Sequence, residues 1–164
     1  MESRLFILDG RRARVWSGGA GPALLLLHGG IGDAEQHWHA VWHELSQTHT
    51  VLAPDLPGMG ESEAVSTLDW ETMFTWLDSL LDAHDVKVVD CVGNSFGAAL
   101  ARLYAANRPE RVRHTALVNG GMLPVVPALA RRLMRTTWLW SPLDWVSRKL
   151  LFSRFGLGLM VHEK

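Results

Sequence analysis

The sequence predicts an α/β protein built on a mostly parallel sheet. Two observations carry this. Apolar runs of strand length alternate with amphipathic stretches of helix length between residues 23 and 118. A hairpin signal, Asp9-Gly10, precedes them. Such alternation places helices as crossovers between strands that run the same way.

Each element has its own reason. Leu5 to Leu8 reads as a short strand and Arg11 to Trp16 as its hairpin partner. Ala23 to Leu27 is continuously apolar, as a strand buried on both faces must be. A Gly-rich loop, His28 to Gly32, follows. Glu35 to Ser46 reads as a helix with Trp38, Val41, Trp42 and Leu45 on one face. Thr50 to Pro54 is a strand, and Asp55-Leu-Pro-Gly-Met-Gly60 an irregular loop. Ser66-Thr-Leu-Asp69 has the spacing of a capping box before a helix whose apolar stripe is Trp70, Met73, Phe74, Leu77, Leu80 and Leu81. Val86 to Val92 reads as a strand and Phe96 to Asn107 as an Ala-rich helix closed by Arg108-Pro109. Val112 to Val118 is the last strand.

At 164 residues the chain is long enough for one domain with a real core. Hydrophobic residues make up 48% and charged residues 20%, which excludes a disordered class. A net charge of -1 gives no reason to expect a nucleic-acid partner. Cys91 is alone, so no intrachain disulfide or Cys-rich zinc site can form. The charge is uneven: residues 1–120 hold nine Lys/Arg against fifteen Asp/Glu, and residues 121–164 hold seven against two. We therefore read two segments, 1–120 and 121–164. The start has no apolar region of secretory length, and a cytoplasmic, reducing compartment is expected, which a buried free Cys91 fits.

The pattern richest in chemistry is Gly93-Asn94-Ser95-Phe96-Gly97. It joins the strand ending at Val92 to the helix starting at Phe96. A nucleophilic serine on a sharp strand-to-helix turn needs that setting, with small residues two before and two after it. Gly93 and Gly97 meet the need. The competing reading is a Gly-rich βα turn with an incidental serine.

With three separated motifs the sequence resembles the α/β-hydrolase family over residues 4 to about 120. They are Leu25-Leu-Leu-His-Gly-Gly-Ile-Gly32 with Trp38 downstream, Asp55-Leu-Pro-Gly-Met-Gly-Glu-Ser62, and Val92-Gly-Asn-Ser-Phe-Gly97. The last also looks like that of the carbon–carbon hydrolases that cut ring-fission products, and it occurs among esterases. The resemblance implies Ser95 as nucleophile and the backbone N–H groups of Gly30 and Phe96 as the oxyanion hole, with Ile31 and Asn94 against the substrate. Two fixed amides aimed at a carbonyl oxygen stabilise a tetrahedral intermediate; losing one typically costs about 2.7–4 kcal/mol. It also gives His28 a structural place at the strand end. No cofactor and no metal is expected. His39 and His43 are one helical turn apart, but no third ligand accompanies them.

In this family an acid and then a histidine follow the serine on later strands. After Ser95 the histidines are His114, inside the last strand, and His162; the acids are Glu110, Asp144 and Glu163. None is recognisable as the base or its partner. The expectation is thus a fold truncated after the sixth strand, with residues 121–164 as the start of a helical lid. Trp138, Trp140, Trp145 and Phe152, punctuated by basic residues, suit a cover over an apolar cleft. Trp with basic residues also fits an interfacial membrane helix, but Pro142 interrupts the run, so no membrane partner is expected. The expected partner is a small molecule, apolar acyl or ring-derived, and self-association is expected through an open edge at Val112–Val118. The alternative is an inactive remnant or ligand-binding module that keeps the turn. Asn119 reads equally as a ligand contact or a turn residue.

Overall fold

The computed structural model describes residues 1–120. The lid expected over 121–164 lies outside the described residues, as do His162, Asp144 and Glu163. Nine elements occur in the expected order: β1 (Glu2–Leu8), β2 (Arg11–Gly18), β3 (Ala23–Leu27), α1 (Ala34–Leu45), β4 (Thr50–Pro54), α2 (Trp70–Ala83), β5 (Val89–Asn94), α3 (Phe96–Asn107) and β6 (Val112–Val118). The fold is α/β. Its six strands lie in the order β1-β2-β4-β3-β5-β6. β1 and β2 form an antiparallel hairpin, and β2 joins β4 antiparallel. The β4–β3, β3–β5 and β5–β6 pairs are parallel.

Asp9 and Gly10 both hold positive φ, 50° and 75°, as a two-residue hairpin turn requires. The apolar run of β3 is explained by its two faces. Leu25 and Leu27 join one core cluster with Leu52, Cys91, Leu77, Leu80, Leu100 and Tyr104. Leu24 and Leu26 join a second with Val51, Ala53, Trp38 and Trp42. Successive side chains of a strand point to opposite faces, so a strand between two helical layers has no polar position. Cys91 sits in the first cluster, and burial pushes its thiol up to about 12.

Three local expectations are corrected. The cap of α2 is Asp69, whose carboxylate accepts from the Thr72 N–H at 2.8 Å, so Ser66 caps nothing there and the helix starts at Trp70. Asp is as good a cap as Ser, and here it stands next to the first apolar turn. Val86 belongs to the end of α2 rather than to β5. Its N–H donates to Leu81 O and the Asp85 N–H to Asp82 O, with Asp85 at φ 55°. That is a Schellman closure, which consumed the start of a strand-like sequence. Val41, assigned to the buried face of α1, is exposed, because Ala34, Trp38 and Trp42 already cover the sheet.

Among the described residues, no helix is long and apolar enough to cross a membrane. β6 and β1 are the two edges of the described sheet.

Candidate functional site

The parallel strands β3, β4, β5 and β6 all bring their C-terminal ends to one side, and the motif residues collect there. In open α/β sheets ligands bind outside those ends.

Ser95 stands between β5 and α3 at φ 52°, ψ −110°. A side chain beyond glycine rarely adopts this backbone, and only surrounding structure can hold it there. The Ser95 N–H donates to Val118 O at 2.9 Å, and its carbonyl accepts from Ala98 and Ala99. Its side chain makes no capping bond to α3, and the residue is exposed. The flanking glycines are obligatory. A Cβ on Gly93 would overlap the carbonyl of Gly97 and lie 2.6 Å from the Ala98 Cα. A Cβ on Gly97 would overlap Leu27 O and lie 2.6 Å from His28 O. The turn is thus closed against β3 with no room for any side chain.

Gly30 lies on the loop after β3, exposed, and a Cβ there would sit 3.7 Å from the Phe96 Cβ. Gly30 and Phe96 are therefore neighbours beside Ser95. Among the described residues, no backbone carbonyl accepts from the amide of either. Ile31 is exposed and its carbonyl accepts from His37 Nε2 at 2.8 Å. Asn94 is half-buried; its Nδ2 lies 2.9 Å from His37 Nδ1, and its Oδ1 accepts from Asn119 Nδ2 at 2.9 Å. An apolar cavity of about 350 Å³ opens next to Gly30, lined by Leu56, Met59, Val65, Leu68, Met73 and Phe96 among others. The rings of Trp70 and Phe96 stack beside it, centroids 5.8 Å apart.

His28 is fully buried, and both ring nitrogens are engaged. The Leu56 N–H donates to Nε2 at 2.8 Å, so Nδ1 carries the proton and donates to Gly29 O at 2.7 Å. Burial pushes its pKa down, which keeps the ring neutral. His28 thus ties the β3 loop to the β4 loop and has no nitrogen left for Ser95. His114 is exposed and pairs with Asp90 at 3.0 Å. His39 and His43 lie exposed on α1. Among the described residues no cluster of three metal-ligating side chains occurs.

The β4 loop is fixed by Asp55. Its Oδ2 accepts from Arg14 Nε at 2.7 Å and from the Glu61 N–H at 2.8 Å, and its Oδ1 from the Ala34 N–H at 3.0 Å. Arg14 also reaches Glu61 and Asp33. Sequence reasoning passed over Arg14 and His37. Arg14 left one signal: it is a charge at the centre of Ala13-Arg14-Val15, where every residue is buried. His37 flanks the Ala34–Trp38–Trp42 stripe, and nothing in its spacing marks it.

The family model described as the alpha/beta hydrolase fold matches residues 22–152. A 2-hydroxymuconate semialdehyde hydrolase of Pseudomonas sp. (strain CF600) is 34% identical over 155 residues, covering 90% of this chain and 53% of the relative. A 2-hydroxy-6-oxo-2,4-heptadienoate hydrolase of Pseudomonas putida is 36% identical over 119 residues, covering 70% of this chain and 43% of the relative. The structure of a meta-cleavage product hydrolase from Pseudomonas fluorescens IP01 superposes with a TM-score of 0.63 at 26% identity, over 68% of this chain and 43% of that one. The chain spans about half the length of the curated relatives it matches. With the strand order, the glycine-bounded turn and these likenesses together, the chain belongs to the α/β-hydrolase fold family.

Proposed function

We propose that this chain is the nucleophile-bearing part of a serine hydrolase that acts on a small molecule through an ester, amide or activated carbon–carbon bond. The observation that carries the reading is the backbone of Ser95, held at φ 52° on a strand-to-helix turn beside two amides to which no described backbone carbonyl is bonded. Ser95 Oγ attacks the substrate carbonyl carbon and loses its proton to a base. The oxyanion that forms is held by the N–H groups of Gly30 and Phe96. Ile31 and Asn94 face the substrate, and its apolar part occupies the cavity next to Gly30 and Phe96. The names of the relatives favour a carbon–carbon bond of a ring-fission product.

His28 and His114 are committed elsewhere, and the resemblance puts the base and its acid after Ser95. We assign them to sequence beyond this chain, and residues 121–164 to a lid over the cleft. The commitment of those histidines also favours a second reading, a binding module that keeps the turn without turnover. Cys91, a buried free thiol, suits a cytoplasmic setting.

The test compares two polypeptides on an activated ester and on a 2-hydroxy-6-oxo-dienoate. For the 164 residues alone turnover is expected to be negligible, because losing a triad base can cost on the order of 10⁶ in turnover. In a polypeptide extended to the length of the relatives, hydrolysis is expected and Ser95→Ala abolishes it. Hydrolysis indifferent to Ser95→Ala would sink the nucleophile assignment. No hydrolysis with either substrate, while a product analogue still binds, would favour the binding module.

A further inference from the structure

His37 makes two directional hydrogen bonds that the serine chemistry does not use. Its Nε2 lies 2.8 Å from Ile31 O, and its Nδ1 2.9 Å from Asn94 Nδ2. A backbone carbonyl only accepts, so Nε2 carries the ring proton and Nδ1 of the neutral ring is an acceptor. Asn94 must then present its NH2 to His37 and its Oδ1 to Asn119, whose Nδ2 donates at 2.9 Å. The two amides could each face either way. The fixed end of the chain, Ile31 O, settles both. The direction runs Asn119 to Asn94 to His37 to Ile31.

This relay brackets Ser95. Asn94 precedes it. Asn119 follows Val118, whose carbonyl accepts from the Ser95 N–H. The imidazole packs on the backbone beside the serine: a Cβ on Gly29 would lie 2.9 Å from His37 Cε1 and 3.6 Å from Ser95 Cβ. Ile31 belongs to the same loop as Gly30. The His37 ring therefore links the loop after β3 to the turn, and Asn94 carries the link on to Asn119 after β6.

We propose that His37 is a positioning residue of this site: by accepting at Nδ1 it sets the polarity of the Asn94–Asn119 amide pair beside Ser95, and its protonation reverses that polarity. The imidazolium donates from both nitrogens, so its Nδ1–H would face the Asn94 NH2. Asn94 must rotate to offer Oδ1, and Asn119 must rotate in turn. Among the described residues no charge at the site takes over this role. The His28 ring, 5.6 Å away between centroids, is neutral with both nitrogens engaged. Asp33, one turn before His37, is held by Arg14 and by the Gln36 N–H. Asn94, Ser95, Phe96 and Asn119 carry no charge. The catalytic consequence rests on the Ser95 reading; the polarity itself does not.

The experiment is NMR on ¹⁵N-labelled protein, following the His37 ring nitrogens and the side-chain amides of Asn94 and Asn119 from pH 8 to pH 5. The expected result is the Nε2–H tautomer at high pH, and both amide pairs shifting together with the His37 ring nitrogens once the ring is protonated. His37→Phe removes both shifts. His37→Asn keeps an acceptor near the place of Nδ1, so the Asn94 amide stays near its neutral-pH position and no longer titrates. Ser95→Ala leaves the titration unchanged, so failure of the nucleophile assignment is read separately, from hydrolysis. An Nδ1–H tautomer at high pH, or amides that titrate alike in wild type and His37→Phe, overturns the proposal. If His37→Phe does not fold, the wild-type titration and His37→Asn still decide.

Discussion

Arg14 Nε and Asp55 Oδ2 are 2.7 Å apart, in a pair that is buried on both sides. Arg14 sits on β2 and Asp55 begins the loop after β4, so this contact sets the loop on the sheet. Asp55 also holds the N–H groups of Ala34 and Glu61, which start α1 and turn the loop. Removing one partner of a buried pair leaves the other charge uncompensated, typically costing about 3–5 kcal/mol. Asp55→Ala is expected to lose stability of that order in urea denaturation. Asp55→Asn, which keeps one acceptor oxygen, should fall between it and wild type. A loss below about 1 kcal/mol for Asp55→Ala would show a surface-like pair.

Gly97 and Gly30 predict opposite outcomes for the same substitution. A Cβ at Gly97 meets the backbone of Leu27 and His28, which cannot yield without moving α3 or β3. Gly97→Ala is expected to cost about 1–3 kcal/mol, the range of core overpacking. A Cβ at Gly30 makes only an ordinary contact with Phe96. Gly30→Ala should unfold within about 0.5 kcal/mol of wild type, as surface changes usually do. In the extended polypeptide it should reduce turnover by obstructing the carbonyl oxygen. Equal stabilities for the two variants would mean that the turn is not closed against β3.

His28 makes stability depend on pH. Burial lowers its pKa in the fold, whereas an unfolded chain binds the proton near the ordinary value of about 6.5. Below that value the unfolded state holds more protons, so stability falls as pH drops from about 6.5 toward the lowered folded pKa. Above 6.5 the group contributes no slope. His28→Gln removes this titration while the other seven histidines remain. Urea midpoints at pH 7.5 and pH 5.5 should therefore drop less in His28→Gln than in wild type. An equal drop would place the proton-linked loss on another group.

The edge strand β6 is open among the described residues, with Leu117 and Val118 each 42% exposed. Such an edge is a template for pairing with a second chain. The 164-residue chain is expected to elute from size-exclusion columns as a concentration-dependent oligomer, and Leu117→Lys to shift it toward monomer. The opposite edge, β1, also exposes Leu5 and Ile7, though Glu2 and Arg4 blunt it. Ile7→Lys is thus the control. A monodisperse wild-type monomer, or dissociation by Ile7→Lys alone, would reject β6 as the interface.

Local patterns determined most of the fold in advance. Residues 23–27, 50–54, 96–107 and 112–118 bound their elements as read, because each is a run with one periodicity and clear punctuation. The Gly93–Gly97 turn was legible for the same reason: small residues at fixed offsets record a backbone collision that any side chain would cause. Tertiary structure decided what depends on a partner far along the chain. The start of β5 moved to Val89 because Val86 serves the closure of α2. Arg14 drew no reading from the sequence, because its buried counter-ion, Asp55, lies forty-one residues away. His37 was passed over in the same way, because Asn94, which is brought to its Nδ1, lies fifty-seven residues on. Hydrophobic period and turn chemistry act over a few residues and are written in order, whereas hydrogen-bond direction is set by geometry between distant segments and leaves no period to read.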